Sequence, residues 1–227
     1  MPADACLRAG EGVPSATLEE YLEAIYKISL AGDVRPTLIA EALGVSGPTV
    51  TVTLRRLAAA GLAERSSGGG VSLTETGRRE AVEVIRRHRI AERFLVDVLE
   101  LPWEAAHEEA CRLEHAMSPR VLEALERFLE NPEVCPHGHP IPSVDGVVPA
   151  LLGMPLAEIA AGAEGVVVRV AEDDDAVLGY VASMGLLPGV RVRVAEVAPF
   201  GGPLMVEVAG KEHAVAREVA AVVFVEP

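Results

Sequence analysis

Long apolar runs are missing from this 227-residue chain: nowhere do 18 or more uncharged apolar residues follow one another, and Met1 to Gly12 holds Asp4 and Glu11 but no apolar signal core. A membrane span and a secretory leader are therefore not expected, which implies a soluble, cytoplasmic protein with no membrane partner. Cysteine is scarce as well. Cys6, Cys111 and Cys135 are odd in number and widely spaced, unlike the even sets that staple small secreted folds, so they read as reduced thiols, any of which could ligate a metal. Aromatic residues make up only 4 % of the chain. In its C-terminal third only Tyr180, Phe200 and Phe224 are available, which argues against a peptide-binding groove and an adaptor role.

The formal net charge of −14 would by itself argue against a nucleic-acid partner, because affinity for phosphates comes chiefly from Lys and Arg. Its distribution reverses that inference. Residues 35 to 93 hold ten arginines against six acidic groups, a net +4, while every other part of the chain is acidic. One basic segment in an acidic protein leaves one productive face for a polyanion.

Hydrophobic periodicity divides the chain. Leu18, Tyr21, Leu22, Ile25, Tyr26 and Ile28 form one apolar stripe, which predicts a helix over Thr17 to Ala31, with Thr17 and Glu20 as a capping box. A short helix from Thr37 to Leu43 stops at Gly44, and Ser46 caps another through about Ala60, giving helix, tight turn, helix. Two apolar runs, Leu62 to Arg65 and Val71 to Leu73, flank a Ser/Gly tip and suit a β-hairpin. The whole reads as a winged helix-turn-helix over 1–76. Thr74 caps a long helix to about Leu99, Pro102 opens another to about Met117, and Ser118 with Pro119 starts a third that closes near Leu129.

Residues 131 to 153 are rich in Pro and Gly and read as a linker, with 143–153 separating a helical domain (77–142) from the C-terminal third of the chain. In that third, β-branched runs at Val166–Val170, Val190–Val197, Leu204–Val208 and Val222–Val225, with one helix at about Ala176 to Met184, predict a small β-barrel over 154–227. The fold class is mostly α with a β domain.

Ligand-type side chains recur at helical spacing. His107, Cys111, Glu114 and His115 fall within about one quarter of a helix surface at ~100° per residue. His88 with Glu92, and Glu20 with Glu23, repeat the pattern on two other helices. Any one of these is more often part of a solvated helix face. Together they would carry repulsion and desolvation penalties without a cation. Mixed N, O and S donors suit Fe(II), Mn(II), Co(II), Ni(II) or Zn(II) better than Ca or Mg. Cys135, His137 and His139 are weaker candidates and read as mobile loop residues.

The runs EEYLEAIY (19–26), IAEALGVSGPTV (39–50), LTETGR (73–78), RRHRIAERFL (86–95), HEEACRLEHAMS (107–118) and HPIP (139–142) resemble the diphtheria-toxin-repressor family of iron- and manganese-dependent regulators over nearly the whole length. The resemblance implies a winged helix-turn-helix, a helical dimerisation and metal-binding domain, and a C-terminal SH3-like, FeoA-like barrel. It also implies two metal sites per subunit. The primary site would be Cys111, Glu114 and His115 with Glu20, and the ancillary site His88, Glu92 and His107 with help from Glu172 and Asp175. Glu23 matches a ligand of the manganese type. Glu20 beside Cys111 mixes manganese-type and iron-type ligands, with iron favoured.

These expectations converge on a metal-dependent repressor of metal homeostasis, a homodimer on a palindromic double-stranded DNA operator, with Fe(II) or Mn(II) as corepressor and Co, Ni or Zn able to substitute in vitro. No catalytic residue and no small organic substrate is expected. The N-terminal part of the second helix of a helix-turn-helix enters the major groove. That puts Ser46, Pro48, Thr49, Thr51 and Val52 near base edges, joined by Thr37, with Arg55, Arg56 and the wing residues Arg65, Ser66 and Ser67 on phosphates. The alternative is a metal-dependent hydrolase, since His, Glu and Cys around a divalent ion can activate water. No H-E-x-x-H or comparable motif supplies its general base.

Overall fold

A computed structural model of the chain describes residues 14–66, 68–171 and 174–227. They form two compact units that divide between Ile85 and Arg86.

In the first unit, α1 (Ala16–Ser29) buries Tyr21, Leu22, Ala24, Ile25 and Tyr26 on its apolar stripe. Its N-cap is Ser15, so Thr17 lies inside the first turn and the expected Thr17–Glu20 capping box is not what starts the helix. Pro36 opens α2 (Pro36–Ala42), and Gly44 comes after it at φ 61°, a left-handed conformation cheap only for glycine. Ser46 caps α3 (Gly47–Ala59), its Oγ accepting from the Thr49 amide. The axes of α2 and α3 meet at 109°, within the range of a helix-turn-helix. Val50, Leu54 and Leu57 turn inward, leaving the opposite face of α3 exposed.

The wing is β1 (Ala63–Arg65) paired antiparallel with β2 (Val71–Leu73), and Val71 also bridges to Val34. Thr74 then starts α4 (Glu75–Asp97): its hydroxyl donates to the Gly61 carbonyl and accepts from the Gly77 amide.

The second unit continues α4 and adds a 3₁₀ turn (Trp103–Ala105), α5 (Ala106–Glu114) and α6 (Pro119–Phe128), the last capped by Ser118 as expected. Ile90, Leu122 and Ile141 form one small core, and Ala91, Leu95 and Ala110 another. Ile141 belongs to the segment expected to be a linker, which corrects that expectation for its first part. Three guanidinium groups of α4 satisfy the loop's carbonyls: Arg86 donates to Pro142, Arg89 to Pro140 and Arg93 to Val134. The Cys135 amide closes on His139. Pro and Gly prevent regular structure here, but side-chain donors order the backbone instead.

The C-terminal part is one antiparallel six-stranded sheet in the order β3-β8-β4-β5-β6-β7: β3 (Met154–Pro155), β4 (Glu164–Val170), β5 (Arg191–Val197), β6 (Leu204–Val208), β7 (Lys211–Val215) and β8 (Val223–Glu226). Irregularities at Val167/Arg169 and Val194/Glu196 bend it, as bulges do. With α7 (Asp175–Ser183) and α8 (Arg217–Val222) it encloses a core of Leu156, Val167, Leu178, Val194, Leu204 and Val206. Each fully buried aliphatic side chain of this core contributes ~1.5–3 kcal/mol. The sequence reading missed β7, whose run KEHAV is polar at an edge, and the short α8.

Candidate metal centre and nucleic-acid interface

One turn separates His88 from Glu92 on α4, and both side chains are fully buried there. His88 Nε2 lies 3.1 Å from Glu92 Oε1 and 3.1 Å from His107 Nδ1 on α5, and His107 Nδ1 lies 3.7 Å from Glu92 Oε1. The other ring nitrogen, His88 Nδ1, is 2.6 Å from Glu114 Oε2. Glu114 Oε1 in turn is 3.3 Å from His115 Nε2. The Cys111 sulfur stands 3.8 Å from His107 Nε2 and 3.9 Å from His88 Nδ1. The sets read from sequence as separate are thus contiguous, with Cys111 against His107 and His88 as well as on the helix face of Glu114 and His115.

Cys135, His137 and His139 are a correction. All three are buried, not mobile loop residues. His137 Nδ1 is 3.1 Å from Glu92 Oε1, and Glu92, Cys135 and His137 bring donor atoms within 4.8 Å of one another, as do His88, His107 and Cys111. The His137 ring also tilts against Trp103, at 4.5 Å between centroids, and its Nε2 reaches the Trp103 carbonyl. His139 Nε2 meets the Val170 carbonyl of β4. The available signal was CPHGH itself, two imidazoles and a thiol within five residues; the arginines that fold the loop back onto α4 were counted only as a basic face.

Charge in this cluster is mutually induced. Burial would lower the His88 pKa, but the Glu92 charge and hydrogen bonds to Cys111, Glu114 and Glu92 hold it well above the ordinary value. Burial would likewise raise Glu92, yet His88 and hydrogen bonds from His107, His137 and His88 hold it well below the carboxylate range. For His107 burial is again outweighed, by Cys111 and Glu92, and the pKa reaches about 10. The Cys111 thiol is lowered because His107 and His88 outweigh its desolvation. The carboxyl of Glu92 and the thiol of Cys111 are thus shifted toward their charged forms beside imidazoles, the direction in which a cation can replace protons.

Two observations test the fit to a divalent ion. Among the described residues, Glu92 Oε2 is buried with no hydrogen-bond partner, a costly state that a ligand would relieve. The two 3.1 Å spacings from His88 Nε2 to Glu92 and His107 also match ligand-to-ligand edges of roughly 3.0–3.6 Å for metal–ligand bonds of about 2.0–2.2 Å, and the 3.7 Å between His107 and Glu92 is just above them. The donors fit a divalent transition metal.

Other residues predicted as ligands lie on other elements. Glu20, exposed, and Glu23, 3.2 Å from Lys27 Nζ, are on α1 in the first unit. Asp175 is exposed in the first turn of α7 and belongs to neither donor group. Glu172 lies outside the described residues. On the first unit, Thr37, Ser46, Pro48, Thr49, Val52, Arg55, Arg56 and Arg65 are exposed and Thr51 half-buried. Local bonds engage several of their hydroxyls: Ser46 Oγ is 2.7 Å from Thr49 Oγ1, and Thr51 donates to the Gly47 carbonyl. Ser66 is exposed too, while Ser67 lies outside the described residues.

Residues 15–71 match the N-terminal DNA-binding domain of iron-dependent repressors, residues 74–143 their metal-binding and dimerisation domain, and residues 154–227 the FeoA domain. The iron-dependent repressor IdeR of Mycobacterium tuberculosis is 41 % identical over 207 residues, covering 84 % of this chain and 88 % of that protein. The chain belongs to the iron-dependent repressor family. This repressor is also similar to the diphtheria toxin repressor of Corynebacterium diphtheriae, 43 % identical over 131 residues covering 57 % of this chain and 58 % of that one. Among solved structures, a manganese-dependent transcriptional repressor in complex with manganese superposes with a TM-score of 0.84 at 35 % identity, covering 92 % of this chain and 98 % of that one. The repressor ScaR with bound Cd²⁺ superposes at 0.80 and 31 %, with coverage of 92 % and 98 %. None of these relatives supports the hydrolase alternative. Among the described residues, no single helix is long and apolar enough to cross a membrane.

Proposed function

We propose that this repressor acts in the cytoplasm as a homodimer whose operator binding is switched on by Fe(II) or Mn(II). Family membership makes it a metal-dependent transcriptional repressor and not an enzyme. The observation that carries the switch is the buried cluster around Glu92, which holds an oxygen without a hydrogen-bond partner among the described residues. His88, Glu92 and His107 would hold the ancillary ion, with Cys135 and His137 beside it. Cys111, Glu114 and His115 would hold the primary ion, with Glu20 assigned as a further ligand on the resemblance alone, and we assign the three domains to 1–76, 77–142 and 154–227. A bound cation supplies the positive charge that lets these carboxylates and the thiolate converge.

Each protein group then has a task. Glu92 and His88 fix α4 to α5, the arginines of α4 hold the 134–142 loop, and α3 presents Pro48, Thr49 and Val52 to base edges while Arg55, Arg56 and Arg65 take phosphates. Dimerisation fits the outer face of α6, where Phe94, Val121, Ala124, Leu125 and Phe128 line an apolar hollow and Phe128 remains 64 % exposed. An exposed apolar face of this kind marks an interface, and a dimer spaces two recognition helices one DNA turn apart.

The test is fluorescence anisotropy with duplexes selected from random sequence, adding Fe(II) anaerobically or Mn(II) to the apo protein. Saturable binding only with metal is expected. Equal binding by the apo protein, or metal-dependent binding unchanged in Glu114→Ala, would overturn the proposal.

A further inference from the structure

We propose that His139 is a positioning residue of the metal centre: its ring clips the turn that carries Cys135 and His137 to β4, so that the barrel holds both donors against Glu92. The inference rests on the metal-centre reading above. The pairing of β4 with β5 covers Glu164, Gly165 and Val166, and Val167 still bonds Val190 and Gly189. Farther along β4 the bonds go to the loop instead. The Val170 amide donates to the His137 carbonyl at 2.9 Å, and His139 Nε2 lies 3.0 Å from the Val170 carbonyl. A Cβ on Gly138, between the two histidines, would stand 2.0 Å from the Val168 carbonyl oxygen, so the turn lies flat on the strand.

A carbonyl can only accept, so the bond to Val170 puts a hydrogen on His139 Nε2. The backbone of His139 is tied as well. Its carbonyl accepts from the Cys135 amide at 2.8 Å, and the Cys135 carbonyl accepts from the Gly138 amide at 2.9 Å, which closes a five-residue turn. The arginines of α4 hold the carbonyls of Val134, Pro140 and Pro142, on either side of that turn. The turn itself, which brings Cys135 and His137 to Glu92, is held by β4 through Val170. Freed from β4, it would have to be ordered when an ion binds, and that entropy cost lowers metal affinity. Losing a group that orients ligands typically weakens metal binding ~10–100-fold.

Hydrogen exchange of the apo full-length protein reads the clip without metal. His139→Leu keeps a side chain of similar size and removes the donor. The Val170 and Cys135 amides should then exchange about tenfold faster, the effect of one buried hydrogen bond, while the Val194 amide, bonded to the Ala163 carbonyl, keeps its rate. His139→Gln, whose amide N–H can stand where Nε2–H stands, should restore both rates. With Cys6 and Cys111 replaced by Ser, Cys135 is the one thiol left, and the Co(II) thiolate charge-transfer band reports the loop donors by themselves. In that background His139→Leu should move the midpoint to about tenfold higher free Co(II), and His139→Gln should return it. Unchanged exchange or an unmoved midpoint in His139→Leu, or equal losses in His139→Gln, overturns the proposal. Faster exchange that Val194 shares overturns it too, because His139 would then be a residue of general packing. Absence of the thiolate band while His139 is intact would instead overturn the loop's place in the metal centre, and this inference with it, whatever the exchange rates.

Discussion

His137 Nδ1 lies 3.1 Å from Glu92 Oε1 although the two come from different parts of the fold, one from a Pro/Gly-rich loop and one from the middle of α4. His137→Ala would leave a buried carboxylate with one imidazole fewer and open a hole against Trp103. A loss of roughly 2–4 kcal/mol is expected in urea unfolding of the apo protein, together with weaker Co(II) binding. Unchanged values for both would remove the loop from the metal centre.

The ionisation of the cluster sets a pH window. His107, raised to about 10, contributes stability that is fully present below its unfolded value of about 6.5 and is lost as pH rises through about 10. Glu92, lowered, contributes stability present above the unfolded carboxylate range and lost as pH falls through its folded value. The apo protein should therefore unfold at its highest temperature between about pH 5 and 6.5 and lose stability on the alkaline side. Metal affinity should run the other way and climb with pH, because a ring nitrogen must lose its proton to ligate. Calorimetry in two buffers of different ionisation enthalpy at pH 7.5 should show net proton release; its absence would contradict the raised imidazoles.

Gly77, in the first turn of α4, has no room for a side chain: a Cβ there would stand 1.8 Å from the Leu62 carbonyl oxygen. Gly77→Ala must push the wing away from α4 and should cost about 1–3 kcal/mol, seen as a lower thermal midpoint of the DNA-binding unit. Gly47→Ala on α3, where nothing lies within 4 Å, is the matched control and should leave that midpoint unchanged.

Arg55 and Arg56 are exposed on α3. Replacing either by Ala should weaken operator binding nearly uniformly across sequences and reduce the salt slope by about 1. Val52→Ala should instead alter the preference at single positions. A slope unmoved by both arginine variants would mean that neither reaches a phosphate.

Much of this was legible because its signals are local. Ser46, Thr74 and Ser118 start helices where their side chains accept from backbone amides, and apolar spacing alone identified the inward face of α1. The runs on β4, β5, β6 and β8 stood out because burial on alternate residues demands β-branched side chains there. β7 escaped because an edge strand needs no such composition. The Thr17–Glu20 box misled for a related reason, since two residues at capping spacing do not say where the helix begins.

The sequence by itself determined the winged helix-turn-helix, the helical face carrying His107, Cys111, Glu114 and His115, and the basic segment, because helical period, capping and charge act between near neighbours. Only the tertiary structure decided which donors share an ion site. Arg86, Arg89 and Arg93 read as a charged face until the fold paired them with carbonyls, and those bonds seat Cys135 and His137 beside Glu92. His88 facing Glu92 with one nitrogen and Glu114 with the other is likewise a product of how α4 packs on α5, a contact between residues whose separation along the chain carries no periodic signal.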